Sequence, residues 1–354
     1  MILLADLINR YSSDLLSTHG DQLLPSHHKA LQAMRHCRNQ HSKVMVMECH
    51  DCHHHLAMPH SCGHRSCPHC QQHECQQWLD RQKGKLLQVS YFMVTFTIPA
   101  QLRSLIWAHQ RVAYDMLLKT AWQTIDSFSR RDPSLKGRSG AHAVLHTHTR
   151  DLNYHPHVHF IVPGGALNVA TKQWRQRTSK EKFLFPVRAL ARVFRAKWFA
   201  AIKAAGLQCS ETLPDDWVVH CKKVGRGWQA LTYLGRYLYR GVLPEQNIVS
   251  DKDGIVSFSY RDHNGKRHVR SLPGGDFLWL LLKHVLPRRF RRVRDFGLLH
   301  ANAKTLIQTL QLVLHMPTPP PVVIQPRPAV LCERCGKPMA IVARLLEPDH
   351  HRLC

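Results

Sequence analysis

Residues 155–160 read HPHVHF. His157 and His159 stand two apart in an alternating run, and side chains two apart on a β-strand leave the same face. Two imidazoles on one face make a pair of nitrogen donors for a single ion, leaving coordination positions open to substrate oxygens. The turn-like RDLN of residues 150–153 joins this strand to residues 142–148 as a hairpin. Taken as a four-residue loop, it sets His146 opposite His157 and on the same face. His146 is therefore the expected third ligand, with His148 and Asp151 next in line if the register shifts. The competing account is a histidine-rich surface strand in a chain with 28 histidines.

A second constellation is TYLGRYLYR, residues 232–240. Tyr233 and Tyr237 are four apart, so on a helix they share one face about one turn apart. Arg236 and Arg240 repeat that spacing on an adjoining face and suit phosphate oxygens. A phenol with a pKa of about 10 is a weak nucleophile. Its attack on a phosphodiester requires a metal to polarise the phosphate and stabilise the developing charge. Alone, the pair reads more simply as aromatic core packing; the HxH strand ahead of it reverses the balance. Arg236 and Arg240 flank Tyr237, which makes it the expected first nucleophile.

The chain has 12 cysteines, most of them between Cys37 and Cys75. CxxC pairs among histidines point to metal ligation rather than disulfides. Cys49 and Cys52 with Cys67 and Cys70 are the expected tetrahedral, structural zinc site. Cys37, His41, Cys62, His64 and Cys75 are surplus and leave room for a second ion. The tail carries Cys332 and Cys335, which Cys354 and His350 or His351 could complete as a small zinc knuckle.

Lys and Arg number 49 against 24 acids, a formal charge of +25. Such an excess implies a polyanionic partner, because cations that displace condensed counterions gain the entropy of ion release. PRRFRRVR, residues 287–294, concentrates Arg288, Arg289, Arg291 and Arg292 around Phe290. Arginines with an aromatic suit a single-stranded backbone and a stacked base. The longest apolar run, from Phe277, ends at Lys283, too short to span a bilayer. The N-terminal MILLADLINRYSSDLL places Asp6 and Arg10 in a helical pattern, unlike a signal peptide. A cytoplasmic protein without a membrane partner is expected.

Residues 1–80 form a helical lead-in and the Cys/His module. Residues 81–300 form the main domain. Residues 301–354 comprise a helix, the stiff proline-rich linker 317–328 and the tail. YFMVTFTIP, residues 91–99, reads as a buried strand, and residues 104–128 and 186–205 as helices. WVVHCKKV, from Trp217, is a strand that Gly225 and Gly227 separate from a helix over 229–240. VSFSY and HVRSL form a second hairpin across DHNGK. Hairpins interspersed with helices indicate an α+β fold on an antiparallel sheet rather than a doubly wound parallel one.

HPHVHFIVPGG, LFPVRALARVFRAKW, YLGRYLYR and HVLPRRFRRVRDFGLL together resemble the rolling-circle insertion-sequence transposases of the two-tyrosine HUH class, in the same order along the chain. SCGHRSCPHCQ resembles the zinc-binding module at the N-terminus of those proteins. The resemblance implies a ferredoxin-like or RRM-like HUH sheet with flanking helices. It further implies Mg²⁺ or Mn²⁺ on His157 and His159, and Tyr233 and Tyr237 as nucleophiles forming a 5′-phosphotyrosine with single-stranded DNA at mobile-element ends. Ser66 stands where the family's zinc segment usually has a histidine, and Gly63 replaces an arginine, so a ligand near Ser66 is either moved to His64 or lost. Three other accounts compete. A replication initiator or relaxase would share the chemistry, but the zinc module favours a transposase. A small-molecule metallohydrolase would need further His/Asp ligands at set spacings that are missing. A decayed, non-catalytic DNA-binding regulator would have no reason to keep both HxH and YxxxY.

Overall fold

The computed structural model describes residues 2–39, 42–70, 72–177, 182–209, 211–229, 232, 235, 242–316 and 328–345, apart from the side chains of 72–75. In chain order the main elements are α1 (Leu4–His19), α2 (Pro25–Met34), β1 (Val44–Cys49), β2 (His55–Pro59), α3 (Gln72–Lys83), β3 (Ser90–Thr97), α4 (Arg103–Ala108) and α5 (Gln110–Arg131). There follow β4 (Gly140–His148), β5 (Tyr154–Pro163), β6 (Gly165–Asn168), β7 (Gln173–Gln176), α6 (Val187–Ala204) and β8 (Val219–Arg226). The last are β9 (Ile248–Lys252), β10 (Ile255–Arg261), β11 (Arg267–Pro273), α7 (Gly274–Leu282), β12 (Val293–Gly297), α8 (Lys304–Val313) and β13 (Met339–Leu345).

The fold is α+β. Its centre is a five-stranded sheet in the order β12-β4-β5-β3-β8, antiparallel at every pairing. The apolar run YFMVTFT is β3, an inner strand covered on both faces, which is why it lacks the alternation of a half-exposed strand. One face, with Phe96, Leu145, Val158 and Phe160, packs against Leu117, Ala121 and Ile125 of α5 and Phe194 and Trp198 of α6. Each large side chain buried there contributes about 1.5–3 kcal/mol of transfer free energy. The opposite face is divided. Its apolar half, with Tyr91, Met93, Val144 and Ile161, lies in one cluster with Trp78 and Leu79 of α3. Its polar half carries the histidines.

The second hairpin forms as expected, but in a separate three-stranded sheet, β11-β10-β9. The helical lead-in closes over it. Leu7, Ile8, Tyr11 and Leu15 of α1 share a core with Val256, Phe258, Phe277 and Leu278, and His19 stacks on Trp279 at 5.1 Å. A third sheet, β13-β1-β2, joins the two ends of the chain. No helix among the described residues is long and apolar enough to cross a membrane.

Candidate metal centre and its surroundings

The register of the β4–β5 hairpin sets His146 opposite His157 and Val144 opposite His159. A bulge after His146 then pairs His148 with Tyr154. The period-two alternation does the rest. His146, His157 and His159 leave one face, and one nitrogen from each lies within 4.8 Å of the others. The ring centroids of His146 are 5.2 Å from His157 and 4.6 Å from His159. Neither alternative joins the three, although the His148 ring stacks on His146 at 5.9 Å. His148 turns towards His284, 5.2 Å away, and Asp151 accepts hydrogen bonds within its own turn from Thr149 and Asn153.

Neighbouring groups orient two of the three rings. His157 Nδ1–H donates to the His155 carbonyl at 2.7 Å, which leaves Nε2 as the lone-pair nitrogen. His159 Nδ1 lies 2.9 Å from Thr95 Oγ1 on the adjoining strand. Burial pushes His157 down to about 4 and His159 down to about 3, with their mutual repulsion adding to the second. His146, fully enclosed, is held well below the ordinary imidazole range for the same reason. All three are neutral at physiological pH, the form in which imidazole ligates a metal.

The arginine-rich segment runs alongside. Arg292 donates from Nε to the Leu145 carbonyl, and its own carbonyl accepts from the Leu145 N–H at 3.0 Å, extending the β12–β4 ladder beside His146. Arg288, Arg289 and Arg291 are exposed. Phe290 is not available for base stacking: it is 3% exposed and meets Tyr114 edge to face. Arg65 clamps this loop by donating to the carbonyls of Leu286, Pro287 and Phe290. A cavity of about 1010 Å³ opens between Arg65, Trp78, Arg81, Lys85, His284 and Arg291 to Arg294.

Tyr233, Tyr237, Arg236 and Arg240 lie outside the described residues. Their flanks do not. Gly225 (φ +109°) and Gly227 (φ +50°) adopt left-handed conformations that cost glycine nothing, and the chain turns there from β8 into helix at Trp228 and Gln229. Gly235, also helical, lies against Leu79 of α3; a Cβ there would meet Leu79 at 2.9 Å.

The cysteines pair differently from the expectation. Cys67 and Cys70 gather with Cys37 and Cys62, whereas Cys49 and Cys52 gather with Cys332 and Cys335. A single site from Cys49, Cys52, Cys67 and Cys70 does not form. The β1 hairpin carries Cys49 and Cys52 to the tail, while the end of α2 brings Cys37 to Cys67. His64 is not one of the four gathered residues; its Nδ1 accepts from the Ser66 N–H at 3.2 Å. In the first group Sγ–Sγ separations are 3.5–3.6 Å, close to the roughly 3.8 Å edge of a zinc tetrathiolate with bonds of about 2.3 Å. The tail's two thiols thus lie against Cys49 and Cys52 of the N-terminal module. The proposed knuckle partners Cys354, His350 and His351 are outside the described residues, as are His41 and the side chain of Cys75.

The imidazole triad thus lies on an antiparallel sheet, with a cysteine-rich module ahead of it in the chain. Two family models match the chain: "Transposase zinc-binding domain", of the IS91 kind, over residues 7–98, and "Putative transposase" over residues 140–305. "Putative transposase y4qJ" of Sinorhizobium fredii is 30% identical over 319 residues, 83% of this chain and 79% of the relative. "Transposase for insertion sequence element IS801" of Pseudomonas savastanoi pv. phaseolicola is 27% identical, over 71% of this chain and 64% of the relative. Among solved structures, TrwC complexed with a 27-mer DNA comprising the recognition hairpin and the cleavage site aligns over 64% of this chain and 74% of its own, at 14% identity and a TM-score of 0.27. The chain belongs to the insertion-sequence transposases that carry an IS91-type zinc-binding domain.

Proposed function

We propose that this transposase nicks and rejoins single-stranded DNA at mobile-element ends through a 5′-phosphotyrosine intermediate. The observation that carries the reading is the convergence of His146, His157 and His159, three neutral imidazoles on the polar half of the sheet. The triad fits a divalent ion, Mg²⁺ or Mn²⁺. An all-nitrogen set suits Mn²⁺ better, since Mg²⁺ prefers oxygen. When bound, the ion polarises the scissile phosphate.

The chain's own groups supply the remainder. Tyr237, with Tyr233 as the second nucleophile, attacks phosphorus; the Oη–P bond forms with loss of the phenol proton as the P–O3′ bond breaks. The leaving 3′-oxygen takes up a proton. The phosphotyrosine keeps the broken bond's energy for rejoining. Support for this pairing of helix and triad comes from Gly235, which sits between the two tyrosines in sequence and lies against Leu79, on the side of the sheet that bears the histidines. Arg236, Arg240 and the exposed Arg288, Arg289 and Arg291 track the backbone. Cys37, Cys62, Cys67 and Cys70 hold a structural zinc.

Incubation with a labelled single-stranded oligonucleotide spanning an element end should give a metal-dependent covalent complex. The double variant Tyr233→Phe/Tyr237→Phe should still bind that DNA but form no adduct. An adduct from the double variant would overturn the assignment.

A further inference from the structure

The second cysteine group draws its halves from opposite ends of the chain. Cys49 Sγ lies 3.4 Å from Cys335 Sγ, and Cys52 Sγ 3.5 Å from Cys332 Sγ. The two halves share one backbone design. In the first, the Cys49 N–H donates to the His54 carbonyl and the His53 N–H to the Cys49 carbonyl, with His53 at φ +53°. In the second, the Cys332 N–H donates to the Lys337 carbonyl and the Gly336 N–H to the Cys332 carbonyl, with Gly336 at φ +72°. Both turns aim backbone N–H groups at sulfur: His54 at Cys52, Arg334 and Cys335 at Cys332, and Lys337 at Cys335. Such donors stabilise thiolates and orient them as ligands. Around them, among the described residues, the buried apolar core is Met47, Cys49, Cys332 and Met339, with a fringe that includes Leu56 and Met58. A core of that size cannot hold a small sheet together unaided.

We propose that Cys49, Cys52, Cys332 and Cys335 bind a second structural zinc that fastens the C-terminal tail to the N-terminal hairpin. Two matched knuckles facing each other complete a tetrahedron. The pairing of β13 with β1, from Val44↔Leu345 to Cys49↔Met339, continues directly from it. The tail is thus part of the N-terminal module, although the family's zinc-binding domain matches only residues 7–98. This assignment is independent of the chemistry at the histidines.

The test counts metal in the full chain carrying His157→Ala and His159→Ala, so that zinc on the imidazoles is not scored. Two zinc ions per chain are expected, one for each cysteine group. Cys332→Ser/Cys335→Ser should lower the count to one, and so should Cys37→Ser/Cys62→Ser. With Co²⁺ in place of zinc, the near-ultraviolet thiolate charge-transfer band should halve in either variant. A count or band unchanged by Cys332→Ser/Cys335→Ser would overturn the proposal. A second measurement leaves every ligand intact. With a protease site inserted between Pro317 and Arg327 and cut, the tail fragment should co-elute with the body in zinc and separate in chelator. A cut tail that separates in zinc, or stays bound in excess chelator, would also overturn it.

Discussion

At the residue scale the proposed metal centre depends on which imidazole nitrogen carries the lone pair. His157 is fixed by a carbonyl that can only accept, so its Nε2 is presented whatever the rest of the site does. His159 depends on Thr95, whose hydroxyl can accept from Nδ1–H and so make Nε2 the ligand. Thr95 touches neither DNA nor metal in this scheme; it is a positioning residue. Thr95→Val keeps the shape of β3 and removes the acceptor. It should weaken Mn²⁺ binding about 10–100-fold, as loss of an outer hydrogen-bond partner does, while the thermal transition of the metal-free protein moves little. Thr95→Ser should restore the affinity, and calorimetric titration with Mn²⁺ distinguishes the three proteins. Equal affinity in all of them would remove Thr95 from the site. HPHVHF and the turn after His148 point to His146 as the partner of His157, but the turn closes tighter than a four-residue loop, with His148 opposite Tyr154, and a bulge between His146 and His148 restores the expected pairing. Thr95 was not legible: a threonine in a buried strand carries no sign of the neighbour it will face.

At the element scale, β12 is an edge strand whose attachment to β4 keeps the arginine segment beside His146. Asp295 on β12 accepts from His142 Nδ1–H on β4 at 2.8 Å, and its other oxygen accepts from Lys85 Nζ at 2.7 Å. Burial alone would raise the Asp295 carboxyl, but the hydrogen bond and charge of His142 together with the Lys85 ammonium outweigh it and hold it at about 2. A carboxyl depressed on folding stabilises the native state above its unfolded pKa, near 3.8, and the benefit disappears as pH falls through the folded value. Asp295→Asn should therefore cost about 2 kcal/mol from pH 7 down to pH 4. The gap from the parent should close as the pH approaches 2. Denaturant titrations at several pH values check this, and a gap independent of pH would assign the loss to packing instead. Local pattern revealed β3, the β4–β5 hairpin and the β10–β11 hairpin. It did not reveal how the cysteine pairs combine. CxxC spacing states that two thiols share an ion, whereas the choice of second pair depends on β1 meeting β13, an event of chain topology. The same holds for α1, whose apolar stripe was visible but whose cover, the β9–β11 sheet and α7, lies far along the chain.

At the scale of the whole molecule the dominant fact is +25 of formal charge, and the structure separates arginines that hold the fold from those that face solvent. Arg65 donates to carbonyls of the loop of residues 286–290, and Arg292 Nε donates to the Leu145 carbonyl of β4. Arg288, Arg289 and Arg291 are exposed around a buried Phe290, so the aromatic anchors the loop and the guanidinium groups are turned outward. If those three contact phosphates, each releases close to one condensed counterion on binding. Replacing all three by Ala should then flatten the slope of log affinity against log salt by about 2 for single-stranded DNA, at about 0.7 per contact. The loss should be the same for oligonucleotides of unrelated sequence, because phosphates carry no sequence information. Fluorescence anisotropy across a salt series measures both quantities. A slope that does not move would place the DNA elsewhere on the surface. Arg292→Ala serves as the contrast: it should lower thermal stability by loosening the β12–β4 edge, through the lost bond to Leu145 as well as through any lost contact with DNA.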